Sequence, residues 1–194
     1  MSEKILDNKQ YVVDMLKKTG REGMDGLIEY MEECRFFSAP CSGGYHLSCE
    51  FGLVHHTRHV MEIAEKLGVS LLGGAEYNKI QDSVIIAAAL HDLGKMGQFE
   101  KPNYVPNTLK GGKPSAAKPF KTNPELLYVD HEIRSVAIAS MFIDLTEDEQ
   151  FAILYHNGMY GPLKYSLQGK ETPLYMIIHW ADMWATKVLE KEGK

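Results

Sequence analysis

Apolar positions recur along this chain with the spacing of helices. Val12, Met15 and Leu16 within Asn8 to Lys18, and Leu27 and Met31 within Glu22 to Cys34, predict two amphipathic helices. From Gly52 to Leu67 a stripe of Leu53, His56, Val60, Ile63 and Leu67 predicts a third. Asn78 to His91 is apolar nearly all round at Val84-Ile85-Ile86-Ala87-Ala88-Ala89-Leu90, the pattern of a central buried helix. The period is lost from Gly94 to Pro124, which holds Pro102, Pro106, Pro114, Pro119 and Pro124 and the Gly111-Gly112 pair. A structureless stretch of that length reads as a lid, a binding loop or disorder. Helical spacing resumes from His131 to Ile143 and again after Thr146, where Thr146-Glu147-Asp148-Glu149 is a capping box opening a helix to about Tyr155. Gly158 and Gly161-Pro162 mark a turn-rich connection with room for a short hairpin, and Thr172-Pro173 caps a last helix through Leu189. Strand signals are few. The expectation is one all-α domain over 1–194, a bundle of six to eight helices, with 1–40 as N-terminal helices and 94–124 as a lysine- and proline-rich lid loop.

A chain of 194 residues suits a single compact domain, and a net charge of −5 is too mild to mark a nucleic-acid or membrane protein. Met1 to Asp7 has no apolar core of a secretory signal, and no apolar run approaches the roughly 18 residues that span a bilayer. Cys34, Cys41 and Cys49 form no C-x-x-C pair, so they read as reduced bystanders in a cytoplasmic protein rather than a zinc ribbon or disulfide scaffold.

The chemistry lies in polar residues set within apolar helices. His91-Asp92 ends the most hydrophobic helix, His56 falls on an apolar stripe, and Asp182 sits in Met176-Ile177-Ile178-His179-Trp180-Ala181-Asp182-Met183-Trp184. Burying such groups is costly unless charge or metal matches them, and imidazoles and carboxylates from separate helices can enclose a divalent cation. Gly52-Leu53-Val54-His55-His56-Thr57, then His91-Asp92-Leu93-Gly94-Lys95, then Ala181-Asp182, together resemble the H…HD…D signature of the HD phosphohydrolase superfamily. The resemblance spans about residues 40 to 190 and implies a helical fold with His56, His91, Asp92 and Asp182 as metal ligands. His55 is the near rival for the first position. His131 and His156 stand where two-metal HD enzymes place ligands for a second ion, with Asp92 as the bridge. The stretch from Tyr155-His156-Asn157-Gly158 to Lys187 is similar to the HD domain of bacterial 3′→5′ exoribonucleases, without room for their OB-fold. Asn157 stands where the cyclic-dinucleotide phosphodiesterases of the superfamily commonly carry a second histidine, which argues against that substrate.

The resemblance implies hydrolysis of a phosphate ester of a nucleotide or short nucleic acid by metal-activated water, with one or two ions of Mn²⁺, Fe²⁺, Zn²⁺, Ni²⁺ or Mg²⁺. Asp92 would orient or deprotonate that water, and Lys95 would hold a phosphoryl oxygen, with Arg58 and Lys187 as weaker candidates for the same work. His46, in the loop before the first ligand, matches a place where some HD enzymes contact substrate. His59 and His179 read as support or packing, and Trp180 with Trp184 as core packing. Lys95, Lys101, Lys110, Lys113, Lys118 and Lys121 against Glu100 alone make the Gly94–Pro124 stretch basic, suited to a phosphorylated ligand, with Phe99, Tyr104 and Phe120 available to stack on a base. Two rivals stand beside this reading. One is a di-iron oxygenase, the other a signalling module that binds a nucleotide without turnover. Oligomeric state is open.

Overall fold

The computed structural model describes residues 3–161, 164–167 and 169–191. Among them are eight α-helices, in order α1 (Glu3–Lys18), α2 (Met24–Glu33), α3 (Gly52–Leu72), α4 (Gly74–Leu90), α5 (His131–Ala139), α6 (Glu147–Tyr155), α7 (Lys164–Leu167) and α8 (Pro173–Trp184). The all-α expectation holds, and no described helix is long and apolar enough to cross a membrane.

The central helix is α4, whose Val84–Leu90 segment is wholly buried. It packs against α3, α6 and α8, and α3 also packs against α8 and α1. Leu16, Leu27, Met31, Leu53, Ile86, Leu90, Ile153 and Ile178 have no exposed surface worth counting. Truncating one such leucine or isoleucine to alanine costs about 2–5 kcal/mol, so this core supplies the rigidity that the polar residues below require.

Trp180 and Trp184, read as core from their spacing, are instead 43% and 56% exposed. The run from Leu174 to Trp184 is apolar on every side, so periodicity could not say which stripe faces in. The structure turns Ile177, Ile178, Ala181 and Ala185 inward.

The Gly94–Pro124 stretch is not structureless. After a short 3₁₀ turn at Leu93–Met96, β1 (Gly97–Gln98) pairs antiparallel with β2 (Lys101–Pro102), and β3 (Tyr104–Pro106) pairs antiparallel with β4 (Phe120–Thr122). Thr108 bridges Pro114 beyond the second pair. The prolines sit at strand ends or between strands, where they forfeit few ladder hydrogen bonds. The hairpin expected near Gly158–Pro162 is replaced, among its described residues, by a 3₁₀ turn at Gly158–Tyr160 and the short α7; Pro162 lies outside the described residues.

One buried acid ties the frame together. Glu149 closes the capping box with Thr146 at the start of α6 and takes Arg21 from the α1–α2 connection on both oxygens, at 3.0 and 2.7 Å. It also accepts from Ser83 Oγ of α4 at 2.8 Å. Burial would raise this carboxyl, but the donors of Arg21, Thr146 and Ser83 outweigh it and hold it below the usual carboxylate range. A native acid with a depressed pKa contributes stability above the unfolded value, about 4.3, and loses it as pH falls through the depressed native value. Glu149→Gln should therefore cost about 2 kcal/mol at neutral pH and flatten the acid limb of the stability curve below about pH 4. Denaturant unfolding across pH measures both; an unchanged acid limb would contradict the account.

Candidate metal centre

Asp92 is where the helices converge. His91 continues α4 by one residue, its N–H donating to Ala87 O, and Asp92 follows as the chain enters the Leu93–Met96 turn. His56 comes from the buried stripe of α3, His131 begins α5, His156 ends α6 and Asp182 lies within α8. The structure brings all six together.

The two oxygens of Asp92 face different neighbours. Oδ2 lies 3.5 Å from His56 Nε2 and 3.4 Å from His91 Nε2, and His56 Nε2 is in turn 3.2 Å from both His91 Nε2 and Asp182 Oδ1. Oδ1 lies 3.2 Å from His131 Nε2 and 3.5 Å from His156 Nε2. Within this cluster two groups are spaced to hold a cation, His56 with His91 and Asp182, and His91 with Asp92 and His156. Asp92 stands between them.

The ring orientations suit metal ligation. Nδ1 of His91 bonds to Ala88 O and Nδ1 of His156 to Ile153 O, each at 2.8 Å. Donation to a carbonyl puts the proton on Nδ1 and leaves Nε2 with a lone pair aimed at the cluster. His56 Nδ1 does the same toward Glu190, 3.0 Å from each carboxylate oxygen. Donors about 2.0–2.2 Å from a divalent ion stand about 3.0–3.5 Å from one another, the spacing seen here. Asp92 Oδ1 is buried and accepts no hydrogen bond although His131 is close by. An orphaned carboxylate oxygen of this kind is expensive unless a cation meets it, so the residues present fit the group.

Electrostatics agree. Burial would raise Asp92, but Lys95 and the surrounding histidines hold it well below the ordinary range. Asp182 is likewise lowered against its burial, chiefly by His56. Burial lowers His91 and outweighs Asp92, so that ring stays neutral, whereas burial is outweighed in His56 by Cys41, Asp182 and Glu190 and in His156 by Asp92 and Asp182, which raise the pKa. Lys95 Nζ lies 2.6 Å from Asp92 Oδ2 and is held fully protonated against its burial.

Of the other residues singled out in the sequence, His55 is not at the centre; its ring lies tilted against that of His59, with centroids 4.4 Å apart. Arg58 does not reach the cluster. Two residues beyond His56 it points about 200° around α3, where Asp7, Glu62 and Asn8 bind its guanidinium and Tyr11 lies beneath it. Lys187 is exposed on a π turn (Ala185–Leu189) that directs Glu190 inward instead. His46 stands at the edge, its ring 5.2 Å from that of His56. His179 supports the centre from behind, its Nδ1 2.7 Å from His156 O.

Sequence reasoning missed Glu190, which meets His56 and also His59 at 2.8 Å. It also passed over Glu132, which takes Asn157 Nδ2 at 2.7 Å and lies 3.2 Å from His131 Nδ1. Cys41 is no bystander: its Sγ lies 3.3 Å from His46 Nε2 and 4.0 Å from Lys95 Nζ. Nothing in local spacing marked these three, because each reaches the centre from a turn or helix end. An acid following an apolar helix, as Glu190 does, was the one available signal.

Two clefts flank the turn. One of about 380 Å³ is lined by Ser42, Gly43, Tyr45, Tyr104, Lys118 and Thr122. Burial raises the Tyr104 hydroxyl there, with smaller opposing effects from Lys95 and Asp92. The larger, about 570 Å³, is lined by Tyr30, Arg35, Met96, Phe99, Lys101 and Met141 among others, and none of the cluster's residues borders either cleft.

These helices and this cluster define a helical metal-binding protein whose histidines and aspartates gather around one shared carboxylate. The chain belongs to the HD domain family, whose model matches residues 53–185. HD domains bind divalent metals and are mostly metal-dependent phosphohydrolases. No curated protein and no solved structure matches the chain.

Gly94 explains how α5 reaches the centre. A Cβ at this position would lie 2.3 Å from His131 O and 2.9 Å from Arg134 Cβ. Ser135 Oγ accepts from Gly94 N at 2.8 Å and donates to His91 O at 3.0 Å, latching α5 to the turn. Gly94→Ala should cost about 1–3 kcal/mol and draw His131 away from Asp92. Thermal unfolding together with a crystal structure of the variant tests it, and an unmoved His131 would refute it.

Proposed function

We propose that this protein hydrolyses a phosphate ester of a nucleotide or short nucleic acid. In this reading His56, His91, Asp92 and Asp182 hold one divalent ion, and His131 and His156 with Asp92 hold a second. The observation that carries it is Asp92, whose two oxygens face two histidine sets and whose Oδ1 is buried without a hydrogen bond.

Such ions supply Lewis acidity, lowering the pKa of water and drawing charge from a phosphoryl oxygen. The protein does the rest. Asp92 is held ionised and able to orient an attacking water; Ala88 O, Ile153 O and Glu190 keep the ligand imidazoles in one tautomer. Lys95, anchored on Asp92, presents its charge where a phosphoryl oxygen would develop negative charge. Tyr104 and Tyr45 offer ring faces for a base in the adjoining cleft, and Lys118 offers a cation to a phosphate. The β3–β4 hairpin, carrying Tyr104, would cover that cleft as a lid. Four imidazoles among the donors favour Mn²⁺, Fe²⁺, Ni²⁺ or Zn²⁺ over Mg²⁺.

The same four imidazoles are the observation that favours oxygen activation at an iron pair. Lys95 on Asp92 favours phosphate.

His91→Ala and Asp92→Ala should each remove bound metal and lower nucleotide hydrolysis by at least about a thousandfold, while Lys95→Ala keeps the metal and loses about 10²–10³-fold in kcat. Elemental analysis joined to a hydrolysis screen with Mn²⁺ decides it. Full activity in either of the first two variants, or oxygen consumption in place of hydrolysis, would sink the reading.

A further inference from the structure

Beside His56 lies a second group of donors. Cys41 Sγ is 3.3 Å from His46 Nε2, and His46 Nε2 is 3.6 Å from Glu190 Oε2. Cys41, His46 and His56 offer ligand atoms that all lie within 4.8 Å of one another. Cys41, His46 and Glu190 fall outside the span matched by the HD family, residues 53–185, and the proposed hydrolysis uses none of them as a ligand.

We propose that Cys41, His46 and Glu190 form a separate site for a thiophilic divalent cation of the zinc class, with His56 as its wall toward the HD centre. Zn–S of about 2.3 Å and Zn–N of about 2.0–2.1 Å place tetrahedral donor atoms about 3.4–3.6 Å apart, close to the spacings here. The loop is built to hold them. Cys41 N donates to Leu47 O at 3.2 Å, closing residues 41–47 into a ring of chain. Ser42 Oγ bonds to His46 O at 2.8 Å and meets Ser48 Oγ at 2.7 Å, while Tyr45 N donates to Ser42 Oγ at 3.0 Å. Leu47 takes a left-handed φ of 45°, a strain that a non-glycine residue adopts only where its surroundings require it.

Protonation suits the role. Burial, helped by His56 and Lys95, lowers His46 to about 4, so its ring is neutral and Nε2 can carry a lone pair. Burial pushes the Cys41 thiol up to about 11. A bound cation would displace that proton to solvent and take the thiolate, as metals do at structural cysteines. Burial would raise Glu190, but His56 and His59 outweigh it and hold the carboxyl down at about 2, ionised and ready to share an oxygen. The charged neighbours of the thiol are His56 and Lys95, which favour the thiolate, and Asp92 and Glu190, which oppose it. A buried thiol resting on an imidazole would need none of this charge.

Cobalt reads the site directly, because a thiolate bound to Co²⁺ gives a sulfur-to-metal charge-transfer band in the near ultraviolet that nitrogen and oxygen donors do not. The full chain titrated with Co²⁺ should show the band. Cys41→Ser should lose it while keeping its unfolding temperature and the cobalt of the HD centre, and Cys34→Ser and Cys49→Ser should retain it. His46→Ala should raise the Co²⁺ needed for half the band by at least about tenfold. Asp182→Ala, which weakens the HD centre, should leave the band intact. The proposal is overturned if the wild type shows no band, if the band survives Cys41→Ser, or if it vanishes with Asp182→Ala, since cobalt at the HD centre would then be reaching Cys41. Failure of the hydrolase reading would leave the band untouched, so the two are distinguishable.

Discussion

Burying the carboxylate of Asp92 is the constraint around which this molecule is arranged. Its side chain is 1% exposed and sits just past the end of the buried central helix α4. A lone ion there would cost several kcal/mol or give up its charge. The structure answers by bringing His56, His91, His131, His156 and Lys95 to within about 3.5 Å. His56, His131 and His156 come from α3, α5 and the end of α6, so satisfying one carboxylate sets the relative positions of those helices and α4. The small residue at position 94 follows from the same demand, because α5 must come close enough for His131 to reach Oδ1.

The arrangement has a rigid inner layer and a polar outer one. Glu149, with Arg21 and Ser83, pins α6 to α4 and to the α1–α2 connection, and His156 at the end of α6 is placed by that pin. Outside the clustered nitrogens and oxygens a ring of acceptors fixes the imidazoles. Backbone carbonyls serve His91 and His156, and carboxylates serve His56 and His131. Glu190 is the most connected of these acceptors, shared among His46, His56 and His59, and it reaches them from the end of the π turn that follows α8. Such π turns are frequent at functional sites. In the outer layer the loop after Cys41 and the β3–β4 hairpin frame a cleft lined by Ser42, Tyr45, Tyr104 and Lys118.

The helices were legible in the sequence because 3.6-residue spacing survives in any amphipathic segment, and the caps at Thr146 and Thr172 are local chemistry. His56, His91, Asp92 and Asp182 were legible for a related reason: a polar group inside an apolar helix is a conflict that calls for a partner. Sequence alone thus determined the all-α class, the central place of α4 and the residues that would need a shared counter-charge. Only the tertiary structure decided which stripe of the uniformly apolar α8 turns outward, leaving Trp180 and Trp184 in solvent. It also decided that the Gly94–Pro124 stretch pairs into hairpins, that Arg58 belongs to α1 rather than to the centre, and that Cys41, Glu132 and Glu190 stand against ligand histidines. Those outcomes depend on contacts between residues distant along the chain, which spacing and propensity do not encode; burial and charge pairing settle them once the helices have packed.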